Sequence, residues 1–307
     1  VISYFRKMQF SLIKFPSFVL IGTLMLSSCS SNEKHKEKDI TEIIQKTESF
    51  QLPDLPKSVS FCGEEFPLDN FDVRERLDKE LIVNAYYHSS TIQGLKRANR
   101  YFPEIEKALK ENGIPDDFKY LCLIESGLSQ AVSPAGAKGF WQFMPATAEE
   151  FNLTVNNQID ERLDVTKSTN AACKYLRKAQ NNFNNWMLTA AAYNAGMGGI
   201  QNAMEDQLVE RYFDLHLNNE TSRYVFRILA MKIIFENPEA YGFSKEQIEL
   251  YEPIATRKIE VKEVILDLKK WAKENGSNYH MVKVLNPWIL RDKLDVRNEV
   301  LTIELPK

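Results

Sequence analysis

Residues 116–127 (DDFKYLCLIESG) form the stretch that decides the fold of the central part of this 307-residue chain. Phe118, Leu121 and Cys122 recur at the spacing of one helical face, and the two residues after Cys122 make the opposite face apolar as well. A helix that is apolar on all sides is normally buried in a protein core. The stretch therefore predicts a short core helix that ends just before Gly127.

One acidic residue, Glu125, falls near the C-terminal end of this predicted helix. Burial disfavours the charged form of a carboxyl group, and the negative end of the helix dipole acts in the same direction. Both effects raise the pKa, and a carboxyl group that stays protonated near neutral pH can serve as a general acid. The alternative is that Glu125 simply reaches solvent from the helix end, and the local pattern does not decide between the two interpretations.

Helical periodicity extends on both sides of this stretch, from Phe71 to about Tyr241, and no convincing strand pattern interrupts it. Caps, glycines and prolines mark the expected ends of the helices. The predicted boundaries are a stop at Gly113, an N-cap at Asp164, a stop at Gly196 and a break before Pro238.

Composition and charge argue against nucleic-acid binding and against a metal site. The chain is 44% hydrophobic and 26% charged, as in an ordinary globular protein. Its net charge of -3 lacks the basic footprint of a nucleic-acid-binding protein. The four histidines are scattered, and the four cysteines form no CxxC pair. We therefore expect neither a nucleic-acid partner nor a metal site.

The N-terminal segment has the pattern of an export signal. An apolar stretch at residues 15–26 (FPSFVLIGTLML) follows basic residues and is too short to span a bilayer comfortably. It leads into a Leu-Ser-Ser-Cys sequence ending at Cys29, which resembles the bacterial lipobox; an ordinary signal peptide that ends near a cysteine is the alternative. We expect a signal peptide at residues 1–28. Residues 29–70, with low hydrophobicity and no periodicity, are expected to be a lipidated cysteine and a flexible tether.

Four motifs occur in order from Glu125 onward. They are Glu125-Ser126, residues 139–145 (GFWQFMP), residues 192–196 (AYNAG) and residues 220–225 (ETSRYV). This set resembles the catalytic domain of the soluble lytic transglycosylase family, and in particular its membrane-bound lytic murein transglycosylase D type. Residues 101–103 (YFP) and 132–137 (VSPAGA) extend the resemblance, which covers residues 97–242; Phe140 stands where a leucine is usual.

The resemblance implies a lysozyme-like helical catalytic domain over residues 71–245, with Glu125 as the catalytic acid and base and with no cofactor. The substrate-binding residues that it implies are Ser126, Gln142, Tyr193, Asn194, Glu220 and Tyr224. Without the resemblance, the two tyrosines would be read as core aromatics and Gln142 as a polar residue flanking a helix.

The sequence pattern changes in the C-terminal residues 250–307, where predicted strands occur beside helices. The patterns predict a strand at residues 256–261, a helix at residues 262–275, a second helix at residues 279–285 and a strand at residues 299–305. This order, with a Leu-Asn-Pro after the second helix, resembles a diverged LysM module that grips N-acetyl sugars. The glycine-rich opening turn of LysM is missing, and a packing appendage without sugar binding is the alternative. The predicted fold class is therefore mainly α, with a small α+β LysM-like module.

The activity implied by the resemblance is that of a peptidoglycan lytic transglycosylase. Such an enzyme cleaves the β-1,4 bond between N-acetylmuramic acid and N-acetylglucosamine without water and leaves 1,6-anhydro ends. The alternatives are a muramidase on the same fold and an inactive lipoprotein that binds cell wall. Expected partners are the glycan strands, the membrane through Cys29, and proteins of cell-wall synthesis or division. The expected location is the outer membrane, facing the periplasm.

Overall fold

The computed structural model describes residues 54–244, 246–296 and 300–307. The predicted signal peptide, Cys29 and most of the predicted tether lie outside these residues. Within the described ranges, none of the helices combines the length and the apolar character needed to cross a bilayer.

Most secondary structure in the described residues is helical. The helices are α1 (Phe71–Tyr86), α2 (His88–Glu111), α3 (Phe118–Ser126), α4 (Pro145–Glu150), α5 (Val165–Phe183), α6 (Trp186–Ala195), α7 (Met197–Gln207), α8 (Asn219–Glu236), α9 (Leu268–Glu274) and α10 (Tyr279–Leu285). The strands are β1 (Ser60–Phe61), β2 (Glu64–Glu65), β3 (Thr256–Val261) and β4 (Leu301–Pro306). Single 3₁₀ turns cover Glu161–Leu163, Tyr212–Asp214 and Pro238–Tyr241.

Side-chain caps start three of the helices that build the site. Asp164 accepts a hydrogen bond from the Lys167 amide at the start of α5, as predicted from its sequence position. Asn185 caps α6 and Asn218 caps α8 in the same way. Such caps satisfy amide groups that have no partner within the helix. The predicted ends of α6 at Gly196 and of α8 before Pro238 are also confirmed.

Helix α3 lies in the core of the larger hydrophobic cluster. Phe118, Leu121 and Cys122 are fully buried, and the helix ends at Gly127, whose φ of 59° is the left-handed conformation that glycine adopts without strain. The prediction of a short buried helix is therefore confirmed. Helix α8 packs against α1, α3 and α6, so it forms the centre of this part of the molecule.

The segment at residues 60–70 is ordered against this core through Phe61, Phe66 and Leu68, so the prediction that a flexible tether extends to residue 70 is wrong for it. Strands β1 and β2 pair as an antiparallel hairpin, and Phe61 and Phe66 are buried. Each strand has only two residues, which is too short to show an alternating pattern in the sequence.

The C-terminal module has the predicted β-α-α-β order. Strands β3 and β4 pair antiparallel, from Thr256 opposite Pro306 to Val261 opposite Leu301. Helix α9 begins later than the predicted residue 262, because Asp267 accepts hydrogen bonds from the first amides of the helix and so marks its start. A mainly α fold with a small α+β module is confirmed.

A loop of the helical part completes the hydrophobic core of the module. Ile159 is 4% exposed and packs among the module's apolar side chains. The Asp160 amide donates to the Trp288 carbonyl at 2.9 Å, and the Leu290 amide donates to the Gln158 carbonyl at 2.8 Å. The module is therefore joined to the helical part by main-chain hydrogen bonds and by a shared core.

Candidate functional site

Glu125 lies in the last turn of α3 and faces α8. The phenol of Tyr224, on α8, donates a hydrogen bond to Glu125 Oε1. Tyr224 itself is 2% exposed, whereas Glu125 is partly buried. Two residues that the sequence resemblance places in one site, 99 positions apart in the chain, are thus in direct contact.

The surroundings of Glu125 favour the protonated carboxyl. Burial raises its pKa above the usual range, the hydrogen bond from Tyr224 and the charge of Arg227 act in the opposite direction, and Glu220 raises it again. The net direction is upward, so the sequence-based expectation of a raised pKa is confirmed. A carboxyl group in this state can deliver a proton to a bound substrate.

Arg227 is a part of this environment that the sequence analysis missed. Its guanidinium points toward the end of α3, where it donates to the Ile124 carbonyl at 3.5 Å. It lies three residues after Tyr224 and therefore on the same face of α8. That spacing is the one sequence signal that could have identified it, once Tyr224 was assigned to the site.

Tyr193 is held by hydrogen bonding and by aromatic packing at the C-terminal end of α6. Its hydroxyl donates to the Trp141 carbonyl at 2.8 Å. Burial raises the pKa of Tyr193 well above the ordinary phenol value, and the nearby Glu125 raises it further. The phenol therefore stays neutral, and it links the segment that contains Trp141 to α6.

Gln142 stabilises its own loop in the described structure. Its side-chain amide donates to the Ala131 carbonyl at 3.0 Å and to the Gly139 carbonyl at 2.8 Å. The backbone at Gln142 has a φ of 49°, a left-handed conformation that is uncommon for residues other than glycine. The loop reaches α3 nearby, where the Cys122 thiol contacts the Phe140 carbonyl at 3.5 Å.

Asn194 and Glu220 join the end of α6 to the start of α8. The Asn194 amide donates to Glu220 Oε1 at 3.2 Å, and the Thr221 hydroxyl donates to Asn194 Oδ1 at 2.8 Å. Ser126, next to Glu125, donates to the Cys122 carbonyl at 3.3 Å. The structure thus gathers Tyr193, Asn194, Glu220 and Tyr224 around the end of α3. The residue roles themselves remain predictions.

Across the described ranges, no group of three or more His, Cys, Asp or Glu side chains is arranged to hold a metal ion. The partly buried carboxyl of Glu125, with a raised pKa and neutral phenols beside it, has the properties of a proton donor.

Two domain families and several known proteins are similar to this chain. Residues 102–210 match the family described as the transglycosylase SLT domain, and residues 257–307 match the soluble lytic transglycosylase C-terminal LysM-like domain. The chain is 32% identical over 192 residues to membrane-bound lytic murein transglycosylase D of Escherichia coli (strain K12), which covers 60% of this chain and 42% of that protein. The chain thus spans less than half the length of this curated relative.

Two solved structures are also similar. The 70 kDa soluble lytic transglycosylase from Escherichia coli has 22% identity and a TM-score of 0.38, over 49% of this chain and 27% of that one. An inactive mutant of the lytic transglycosylase Slt from Pseudomonas aeruginosa has 21% identity and a TM-score of 0.38, over 48% of this chain and 26% of that one. On the two domain matches, this chain carries a transglycosylase SLT domain followed by the LysM-like C-terminal domain of the soluble lytic transglycosylases.

Proposed function

We propose that the protein is a peptidoglycan lytic transglycosylase in which Glu125 is the sole acid and base. The observation that carries this proposal is the partly buried carboxyl of Glu125, which has a raised pKa, accepts a hydrogen bond from Tyr224 and lies inside the SLT domain match. The name of the Escherichia coli relative, a lytic murein transglycosylase, supports the same activity and substrate.

One carboxylate is enough for this reaction. Most glycosidases use two, one to protonate the leaving oxygen and one to act as nucleophile or to activate water. Here Glu125 donates its proton to the β-1,4 oxygen, and the bond from that oxygen to C1 of the muramic acid breaks. The N-acetyl group of the same sugar stabilises the charge that develops at C1, so the substrate replaces the second carboxylate.

The second half of the reaction uses the same residue in its ionised form. Glu125 removes the proton from the C6 hydroxyl of the muramic acid, and the C6 oxygen forms a bond to C1. The carboxyl is thereby protonated again, and the product is a 1,6-anhydro end formed without water. An intramolecular nucleophile has a high effective molarity and so outcompetes solvent when it is well oriented. Arg227 and the Tyr224 hydroxyl favour the ionised Glu125 that this step requires.

The test is to incubate the purified protein with peptidoglycan and to identify the released muropeptides by mass spectrometry. We expect products one water lighter than hydrolytic ones, and a loss of at least about 100-fold in rate in Glu125→Gln, since general acid catalysis contributes about 10² to 10⁴. Glu149→Gln, at an exposed position of α4, is the matched control and should retain the rate. Substantial activity in Glu125→Gln would refute the role of Glu125.

The same measurement distinguishes the alternatives. Reducing-end products, lost in Glu125→Gln, would indicate a muramidase. An absence of products, from protein that still sediments with the wall, would indicate a binding protein and overturn the proposal.

The location of the protein is part of the proposal. The Escherichia coli relative is named as membrane-bound, which supports association with the cell envelope. We assign the anchor to a lipid on Cys29, in the outer membrane and facing the periplasm. The test of the anchor is the incorporation of radiolabelled palmitate, which should be lost in Cys29→Ala. We also propose that the C-terminal module binds glycan and that the protein contacts proteins of cell-wall synthesis or division.

A further inference from the structure

The β1–β2 hairpin contacts the N-terminal ends of two helices whose opposite ends carry the site. It precedes the SLT domain match and lies within residues 29–70, the range that the sequence predicts as a tether. Helix α3 begins next to it and ends at Glu125, and helix α6 begins next to it and ends beyond Tyr193. The hairpin is thus close to the starts of both helices.

The first contact holds the start of α3. The Cys62 amide donates to Asp117 Oδ2 at 2.6 Å, directly before the first residue of the helix. Lys232, from α8, donates to the same carboxylate oxygen at 2.8 Å and to the Ser60 carbonyl at 2.9 Å. Asp117 and Lys232 are both largely shielded, so this pair and its hydrogen bonds join the hairpin, α3 and α8 at one point.

The second contact holds the start of α6. Glu64 accepts a hydrogen bond from the Trp186 amide at 2.6 Å with one oxygen and from the Asn185 side-chain amide at 2.9 Å with the other. A carboxylate at a helix N-terminus satisfies amides without intrahelical partners and interacts favourably with the helix dipole.

The third contact joins the two helices to each other. Phe118, at the start of α3, packs edge-on against Phe61 of the hairpin and against Trp186 of α6, with ring centroids 5.4 Å apart in both pairs. Phe61 and Phe118 are fully buried. The hairpin side chain therefore lies in the same apolar contact that sets the distance between α3 and α6.

The turn of the hairpin keeps an unfavourable backbone conformation. Cys62 has a φ of 53° and Gly63 a φ of 82°, and a two-residue turn of this hand needs positive φ at both positions. Glycine adopts such a φ without strain, whereas at Cys62 it is unfavourable. The same residue donates the amide that binds Asp117, so the strained conformation aims this donor.

We propose that the Ser60–Glu65 hairpin is a positioning element of the active site. It sets α3 and α6 relative to each other through Asp117, Phe118 and Glu64, and so keeps Glu125 and Tyr193 close together at the opposite ends of these helices. The proposal rests on the proposed lytic transglycosylase function for its activity readout. Helix α3 is only 9 residues long, so a shift at its start is carried directly to Glu125. Misplacement of a reacting group by about 1 Å can cost about 100-fold in rate.

The test compares Glu64→Ala with Glu65→Ala in the full chain. Glu65 is the exposed neighbour in β2, and its side chain points to the other face of the hairpin. Rates are measured on soluble glycan fragments at a temperature well below unfolding. We expect kcat to fall about tenfold in Glu64→Ala with KM changed less than about twofold. Glu65→Ala should match the parent protein. Glu64→Gln keeps one oxygen for the Trp186 amide and should recover part of the rate.

A readout independent of activity separates this proposal from the proposed function. A carbon-13 NMR titration of the Glu125 carboxyl should show its raised pKa falling toward the ordinary value in Glu64→Ala, because Glu64 holds the start of α6 and a shift of α6 away from α3 admits water to Glu125. If the parent protein releases no muropeptides, the proposed function fails, and this titration still decides on the hairpin. An unchanged kcat and titration in folded Glu64→Ala would make the hairpin a purely structural contact and overturn the proposal. Should the alanine variant not fold, the same unchanged result in Phe61→Leu, which removes the ring contact with Phe118, would overturn it.

Discussion

At the scale of single residues, opposing effects set the pKa of Glu125: burial raises it, and the Tyr224 hydroxyl and the Arg227 charge lower it. Burial raises the pKa of Glu125 and so favours its protonated form, yet the second half of the proposed mechanism needs the ionised form. The Tyr224 hydroxyl and the Arg227 guanidinium stabilise that form. Only the fold reveals this role, because both residues lie about a hundred positions away in the sequence. Tyr224 contacts Glu125 directly, and Arg227 reaches the neighbouring Ile124 carbonyl.

Tyr224→Phe tests this balance. Glu125 must be protonated to start the reaction, so activity is present below its pKa and is lost as pH rises through it. The hydroxyl lowers that pKa, so its removal raises the pKa and moves the alkaline limb of the kcat/KM profile to higher pH. At high pH the variant should therefore keep a larger share of its maximal activity than the parent. Tyr193→Phe is the control, because its hydroxyl donates to the Trp141 carbonyl and not to Glu125. An unmoved alkaline limb in Tyr224→Phe would contradict this account.

At the scale of elements, hydrogen bonds from Arg162 hold the loop that carries Gln142. Arg162 is buried, pairs with both oxygens of Asp160 at 2.8 Å, and donates to the carbonyls of Gly136 and Phe143. The loop therefore has its two ends fastened to one guanidinium, which explains how Gln142 can keep its left-handed backbone.

Two glycines of this loop give a matched prediction. Both have positive φ, 80° at Gly139 and 90° at Gly136. A Cβ at Gly139 would lie 1.9 Å from the Arg162 carbonyl oxygen, whereas a Cβ at Gly136 would meet nothing within 4 Å. Gly136→Ala should thus cost about 1 to 2 kcal/mol from the backbone alone. Gly139→Ala should cost well above about 3 kcal/mol, because main-chain atoms must move. Urea denaturation measures both, and equal losses would show that the close approach to Arg162 does not matter.

The elements also show what the sequence could and could not predict. Helix α5 was predictable because Asp164 caps it. Helix α3 was predictable because apolar residues recur on all of its sides before Glu125. The β1–β2 hairpin was not predictable, since two-residue strands have no period and their burial depends on partners such as Phe118 and Trp186. The site motifs predicted which residues lie near Glu125. They could not predict that Gln142 would bond to its own loop.

At the scale of the whole molecule, the described residues 54–244, 246–296 and 300–307 form one compact unit, in which the C-terminal module is fastened to the SLT domain. The Gln158 side chain accepts a hydrogen bond from the Asp295 amide at 3.0 Å, in addition to the main-chain bonds of the Ile159 loop. A glycan strand held by the module would therefore meet the catalytic part at a set distance. A module on a flexible linker would impose no such distance.

Ile159→Asp tests whether the contact between the C-terminal module and the helical part stabilises the folded protein. The isoleucine belongs to the loop of the helical part but is buried in the core of the module, so an aspartate there would place an unpaired charge among apolar side chains. We expect a loss of about 3 kcal/mol in the free energy of unfolding. We also expect one calorimetric transition in the parent protein and two in the variant, because the module no longer stabilises the helical part. Val284→Asp is the matched control, since Val284 is 50% exposed on α10, and its effect should stay within about 0.5 kcal/mol. Two transitions already present in the parent protein would mean that the module and the SLT domain unfold independently despite their shared core.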